Sequence, residues 1–196
     1  ILYLGIILLG SRISFENILS INHYVIILVI AAVILTIIIS ILLLRVLGFQ
    51  YRFGILIGGA IAICGASAAM AISSVLPKDE KSNERLTFVV LGVTIISTFC
   101  MIFYPIISKY LEMSEISAGI FFGATIHDVA QVIGAGFTVS EITGETATVI
   151  KLFRVTLLFP IVLIISIMSY RLKLINNVDR KTPLIPYFII FFILVV

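Results

Sequence analysis

The sequence predicts an all-α polytopic membrane protein. Hydrophobic residues occupy 61% of the 196 positions, charged residues occupy 12%, and the mean hydropathy is +1.28. A water-soluble fold would have to cover its surface with polar groups, and outside a few short stretches this chain has none. The apolar runs are about 20 residues or longer, which suffices to cross a bilayer core, and they lack the alternation of a membrane β-barrel. They are therefore predicted to be helices, which satisfy their own backbone hydrogen bonds in lipid.

Five apolar runs are predicted to be full membrane spans. They cover residues 24–47, 53–76, 86–107, 117–137 and 147–170, and shorter runs at 1–10 and 184–196 are predicted to be partial spans. The chain begins without Met and ends within an apolar run. We therefore expect a fragment of a longer protein, with residues 1–196 in a single transmembrane domain.

The run 53–76 contains many small and polar residues at its centre. Around Cys64, Gly65 and Ser67 the helix propensity is low, which favours a break in the helix. Such a break exposes half-helix ends at mid-membrane, where N–H groups attract anions and carbonyl groups can hold cations. The alternative is that the small residues only allow close helix packing. Cys64 and Cys100 show neither metal-ligand nor disulfide spacing, so no metal site is predicted.

The run 117–137 carries Thr125, His127, Asp128 and Gln131 in an otherwise apolar segment. An Asp at the centre of a membrane helix costs roughly 2.5 to 3.5 kcal/mol, so it normally faces a protein interior or a watery cavity. In a helix the spacing of these four residues places them on one broad polar stripe. A His and a carboxylate can carry a proton. The alternative is a structural hydrogen-bonded pair that joins two helices.

The net charge of +3 does not indicate a nucleic-acid surface, because the basic residues lie between apolar runs and not on one amphipathic face. If every run crosses the membrane, the 13 Lys and Arg residues divide almost equally between the two sides. Placing Lys151 and Arg154 inside the membrane zone favours the orientation with Arg45, Arg52, Lys109 and residues 171–181 inside the cell.

Lys151 and Arg154 lie three residues apart, close to the start of the run 147–170. Snorkelling to lipid headgroups is the ordinary explanation for such residues. The alternative is that one of them contacts an anionic substrate or the carboxylate of Asp128.

Five motifs follow one another along the chain: LGIILLGSRISF at residues 4–15, ICGASA at 63–68, Tyr104-Pro105, GATIHDVAQV at 123–132 and KLFRV at 151–155. In their order and rough spacing they resemble the motifs of the YeiH-type sulfate exporter family of bacterial inner-membrane proteins. Tyr104-Pro105 matches a Tyr-Pro pair that ends a span in that family. Asp128 departs from the family pattern, which usually has Glu at this position.

The resemblance implies a multi-helix bundle with discontinuous helices, because the family is grouped with carriers similar to sodium/proton antiporters and bile-acid symporters. It implies a secondary transporter of the bacterial inner membrane, not an enzyme, that exports sulfate or another small sulfur-containing anion. A proton or sodium ion would be coupled to transport, with no other cofactor. The expected partners are the lipid bilayer and the anionic solute, and an oligomer is compatible with the sequence. No inverted repeat is evident in the sequence, so the second unit of such a repeat is expected outside this chain.

In this hypothesis His127 and Asp128 take up the coupling proton or cation, while Thr125 and Gln131 orient it through hydrogen bonds. The break at Cys64, Gly65 and Ser67 supplies backbone ligands, and Lys151 and Arg154 are the candidate anion contacts. Two other functions stay open: a cation/proton antiporter with no anion substrate, and a structural or enzymatic helix bundle that transports nothing.

Overall fold

The computed structural model describes residues 23–175, which form α-helices and no strand. The helices are α1 (His23–Val46), α2 (Tyr51–Ala62), α3 (Ala66–Val75), α4 (Ser82–Tyr110), α5 (Glu115–Thr125), α6 (Val129–Val139), α7 (Glu141–Thr156) and α8 (Leu158–Ile175). The predicted all-α membrane fold is confirmed. The partial spans predicted at 1–10 and 184–196 lie outside the described residues.

Within residues 23–175, three helical stretches are long and apolar enough to cross a membrane: His23–Val46, Ser82–Tyr110 and Glu141–Tyr170. They coincide with three of the five predicted spans. The third consists of α7 and α8, which join at Leu157 because Pro160 has no N–H for the carbonyl of Thr156. Pro105 does not end α4, which continues to Tyr110.

The run 53–76 forms a helical hairpin, hairpin 1, in which α2 and α3 lie side by side. Gly65 turns the chain between them with a φ of +66°, a region that L residues rarely adopt. Phe53 at the start of α2 and Leu76 just after α3 line the same cleft. A straight helix would separate these residues by about 35 Å. The run therefore turns back at its midpoint.

The run 117–137 forms a second hairpin, hairpin 2, from α5 and α6. Thr143 Oγ1, at the start of α7, donates a hydrogen bond of 3.1 Å to the carbonyl of Glu115 at the start of α5. Gly136, near the end of α6, packs against Gly144 on the same part of α7. The start of α5 and the end of α6 thus lie together. The prediction that both runs are full membrane spans is wrong, because each has a turn at its centre that reverses the chain, whereas the break predicted at Cys64, Gly65 and Ser67 is present.

The bundle has two ends of different charge, which the long helix α4 connects. The basic end holds the open side of hairpin 1 and the start of α4, with Arg45, Arg52, Lys78, Lys81 and Arg85. The acidic end holds the end of α4, the open side of hairpin 2 and the start of α7, with Lys109, Glu112, Glu115, Glu141 and Glu145. Hairpin 1 therefore enters the bundle from the basic end, and hairpin 2 enters from the acidic end.

A long helix followed by a hairpin occurs twice, in opposite directions. α1 runs toward the basic end before hairpin 1, and α4 runs toward the acidic end before hairpin 2. This is the arrangement of an inverted repeat. The described residues therefore contain two oppositely directed units of this kind, which the sequence did not make evident. The symmetry concerns helix direction, which any apolar segment with a central turn can adopt, so it leaves little trace in the residue identities.

Small residues along the hairpin arms allow close contact with the long helices. A Cβ added to Gly58 of α2 would lie 3.0 Å from Ile37 Cα of α1. A Cβ added to Gly123 of α5 would lie 2.5 Å from the carbonyl oxygen of Ala147 of α7. Both interpretations of the small residues in the run 53–76 therefore hold: those in the arms serve packing, and Gly65 serves the break.

The two hairpin tips lie near the middle of the bundle. Each arm contains 10 to 12 residues, or about 15 to 18 Å, which is half of a hydrocarbon core of about 30 Å. The α7–α8 stretch passes both hairpins, since Ile150 packs beside hairpin 2 and Val162 belongs to the core of hairpin 1.

Candidate functional site

The tips of the two hairpins meet at the centre of the bundle. Tip 1 consists of residues 63–65 and tip 2 of residues 126–128. A Cβ added to Gly65 would lie 3.2 Å from the Cβ of His127. The sequence singled out both segments, and the structure brings them into contact.

Lys151 of α7 bridges the two tips. Its side chain is fully buried, with 0% exposure. Its Nζ donates hydrogen bonds of 2.8 Å to the carbonyl oxygens of Ile63 in tip 1 and Ile126 in tip 2. One ammonium group therefore joins the C-terminal ends of α2 and α5.

Arg154 lies one turn further along α7 and is 3% exposed. Its guanidinium group makes five hydrogen bonds to four carbonyl oxygens, those of Ile61, Ala62, Gly123 and Ile126. A guanidinium has five N–H groups, so all are used. The carbonyls end α2 and α5, and each helix end carries about half a negative charge, so the two cations more than offset the charge of the two helix ends.

The prediction that Lys151 and Arg154 snorkel to headgroups is wrong. Both residues lie deep along α7, well beyond its first residue Glu141 at the acidic end, and both are buried at the level of the tips. Neither forms an ion pair with Asp128. Within residues 23–170, the salt bridge that occurs joins Arg85 to Asp79.

Asp128 caps the N-terminus of α6. Its Oδ1 accepts hydrogen bonds from the backbone N–H of Ala130 at 2.8 Å and of Gln131 at 3.4 Å, and its backbone is extended. The residue is exposed in the described part of the chain. The predicted polar stripe on one continuous helix is therefore wrong, because the carboxylate stabilises a new helix start at this position.

Ser97 of α4 holds tip 2 and was not predicted. It is 1% exposed, and its Oγ accepts hydrogen bonds from the backbone N–H of His127 at 3.1 Å and of Asp128 at 3.3 Å. Its neighbour Thr98 accepts a hydrogen bond of 3.0 Å from Nε2 of Gln131. The available signal was a pair of hydroxyl residues at the centre of the run 86–107.

Two buried side-chain atoms of hairpin 2 have no hydrogen-bond partner among the described residues: Nδ1 of His127 and Oε1 of Gln131. Since buried polar atoms are nearly always paired, these two atoms are the candidates for contact with a ligand or water molecule. The hydroxyl of Thr125 instead donates to the carbonyl of Phe121 within its own helix. Thr125 therefore does not orient His127 in this structure.

The N-terminus of α3 also faces the centre. No side chain caps it, and Ser67 lies in its first turn. The N–H groups of a first helical turn have no partner within the helix and carry partial positive charge. The two helix starts at the centre thus differ, since a carboxylate caps α6 and no side chain caps α3.

Comparison with known proteins identifies the family. The profile of the family described as Conserved hypothetical protein 698 matches residues 1–196. The chain is 48% identical over 197 residues, or 100% of its length, to a UPF0324 membrane protein of Chlorobaculum tepidum. It belongs to the UPF0324 membrane protein family. The predicted YeiH-type family is thereby confirmed, because the UPF0324 inner membrane protein YeiH of Salmonella typhi is 33% identical over 198 residues.

Another UPF0324 relative, the membrane protein TauZ of Paracoccus pantotrophus, is 46% identical over 195 residues, 98% of this chain. The three alignments cover 55%, 57% and 56% of the Chlorobaculum, Paracoccus and Salmonella proteins. The chain therefore spans about half the length of the curated relatives it matches. No solved structure matches it.

Proposed function

We propose that the complete protein is a secondary transporter of the bacterial inner membrane that exports sulfate or another small sulfur-containing anion. Transport is coupled to protons or sodium. The observation that carries this proposal is the meeting of two opposed hairpins, whose tips approach within contact distance at mid-depth. In secondary transporters, the broken helices of inverted repeats hold substrate and coupling ions near the bilayer midplane.

The charges at the centre favour an anion. Lys151 and Arg154 are both buried there, and the uncapped first turn of α3 adds N–H donors beside Cys64 and Ser67. Arg154 has no N–H left after its five bonds, whereas Lys151 keeps one ammonium proton after two. We therefore assign the anion contact to Lys151 and the start of α3, with Arg154 contributing its charge.

The coupling group is proposed to be the pair His127 and Asp128. Histidine exchanges protons in the physiological range, and the buried Nδ1 of His127 has no partner among the described residues. Asp128 supplies the carboxylate at the same tip. Oε1 of Gln131, also without a partner in the described part, accepts a hydrogen bond from a proton carrier or a hydrated ion.

The test is flux through the full-length protein in proteoliposomes. Radiolabelled sulfate and a panel of sulfonates are offered under imposed proton or sodium gradients. We expect one anion to accumulate only while a gradient persists, and Asp128→Asn to abolish that accumulation. Glu145→Gln, which removes an exposed carboxylate of α7 near the acidic end, is the matched control and should retain it. Full accumulation by Asp128→Asn would contradict the coupling role.

A cation/proton antiporter is the second candidate, favoured by the exposed carboxylate of Asp128 at tip 2. It predicts that added sodium dissipates a pH gradient in the same liposomes while no anion moves. A helix bundle that only packs or catalyses predicts neither flux, together with a sharp loss of thermal stability in His127→Ala.

A further inference from the structure

We propose that the ammonium group of Lys151 fills a monovalent-cation site made by the carbonyl groups of the two hairpin tips, so that sodium does not bind there. The proposal deepens the proposed function, on which it rests for placing this site at the transport centre. It restricts where a coupling ion can bind.

The two carbonyls that hold Lys151 come from different hairpins. The carbonyl oxygens of Ile63 and Ile126 each lie 2.8 Å from Nζ. Each belongs to the residue that caps the C-terminus of a half-helix, α2 or α5. Carbonyl oxygens of this kind replace the hydration shell of alkali cations in ion channels, and unwound carbonyls hold sodium in broken-helix carriers.

The positive charge next to this position indicates that a monovalent ion fits the site better than a divalent ion. Arg154 Nη1 shares the carbonyl of Ile126 with Lys151, at 3.5 Å. A second positive charge is therefore fixed next to the site. Exchange of the ammonium for one monovalent ion keeps the local charge unchanged, whereas a divalent ion would add repulsion from Arg154. Sodium is thus the natural probe.

The ammonium group of Lys151 is covalently attached and cannot dissociate from the protein, whereas a free ion can. It holds the tips together without any dependence on sodium concentration. A coupling ion must then bind elsewhere, and the nearest groups suited to it are His127 and Asp128.

The test measures sodium binding through thermal unfolding of the purified full-length protein, with sodium chloride compared against choline chloride at equal ionic strength. Any sodium bound at His127 and Asp128 should shift the Tm of the wild type and of Lys151→Ala alike, so the test is the additional sodium response of the variant. Lys151→Ala should have a lower Tm in choline and a saturable rise in Tm with sodium. At ten times the dissociation constant, sodium should raise the ratio of folded to unfolded protein about elevenfold.

Lys109→Ala removes a lysine from the exposed end of α4 and is the charge-matched control, which should respond to sodium as the wild type does. Lys151→Gln, which keeps an N–H donor without the charge, provides a second variant if Lys151→Ala does not fold in choline. A sodium response of Lys151→Ala no larger than that of the wild type would overturn the proposal. So would variants at position 151 that sodium neither stabilises nor restores. Because no transport is measured, these outcomes are independent of whether the protein carries an anion.

Discussion

Gly65 permits the turn of hairpin 1, because it adopts a φ of +66° and lies in close contact with tip 2. We expect Gly65→Ala to destabilise the folded protein by about 1 to 3 kcal/mol, because a side chain is strained in this backbone region. The new Cβ would also press on His127, at 3.2 Å from its Cβ. The measurement is thermal unfolding in detergent. Gly92→Ala is the control, since a Cβ there meets nothing within 4 Å, and alanine should stabilise α4 by about 0.5 to 1 kcal/mol.

Among the residues that the structure describes, Ser97 is the side-chain acceptor for two backbone N–H groups of tip 2, those of His127 and Asp128. Replacing it with Ala should cost about 1 to 3 kcal/mol, because buried donors lose their partner. Ser74→Ala is the matched control, as the hydroxyl of Ser74 bonds only locally to the carbonyl of Ala71. Equal unfolding temperatures for the two variants would contradict the role of Ser97.

At the scale of elements, the start of α4 depends on Asp79 in the preceding loop. Its carboxylate accepts hydrogen bonds from Ser82 Oγ at 2.9 Å, the backbone N–H of Lys81 at 3.1 Å and Arg85 Nη1 at 3.0 Å. The hydrogen bond from Ser82 and, to a smaller extent, the positive charge of Arg85 lower the pKa of Asp79 below its usual value of 3.8.

A lowered carboxyl pKa stabilises the folded state above the unfolded pKa, and this stabilisation is lost as the pH falls through the folded value. Asp79→Asn should therefore lower the Tm at neutral pH, and the difference from the wild type should shrink only below about pH 4. Glu80→Gln, its exposed neighbour, is the control and should leave the profile unchanged. Parallel profiles for wild type and Asp79→Asn over this range would exclude the contribution.

The extents of the long helices could be predicted from the sequence, because an apolar run is a local property. The predicted run 24–47 became His23–Val46, and the run 86–107 lies within Ser82–Tyr110. The hairpins could not be predicted as such, since an apolar run of the same length either crosses the bilayer or turns back. The choice depends on one turn and on contacts with helices distant in the sequence.

The candidate site also has residues that could be predicted from the sequence and residues that could not. His127, Asp128 and Cys64 were found because polar or small residues in an apolar run are costly or unusual. The role of Lys151 could not be found in this way, because it bonds to the backbone carbonyls of Ile63 and Ile126. Every residue has a backbone carbonyl, so the residue types do not indicate such a contact. Ser97 was missed because hydroxyl side chains in a membrane helix usually bond to the backbone of their own helix, so the pair Ser97 and Thr98 did not indicate a contact with another segment.

For the whole molecule, the hairpins change the distribution of charge across the membrane. When both runs are taken as spans, the basic residues divide almost equally. With the hairpins, Arg45, Arg52, Lys78, Lys81 and Arg85 share one end, while Lys109 lies at the other. The earlier orientation grouped Lys109 with Arg45 and Arg52, and the structure separates them. Basic loops face the cytoplasm, so we predict that the basic end is cytoplasmic.

Single cysteines at Gln50, Lys78 and Glu145 test this topology, since all three positions are exposed. A membrane-impermeant maleimide should label Glu145→Cys in intact cells, and Gln50→Cys and Lys78→Cys only in inverted vesicles. The two latter positions flank hairpin 1, so a spanning segment would place them on opposite sides. The native Cys64 is buried and Cys100 is partly so, and the unmodified protein sets the background. Labelling of Gln50→Cys and Lys78→Cys from different sides would exclude the hairpin, whereas labelling of both in intact cells would reverse the orientation and keep the fold.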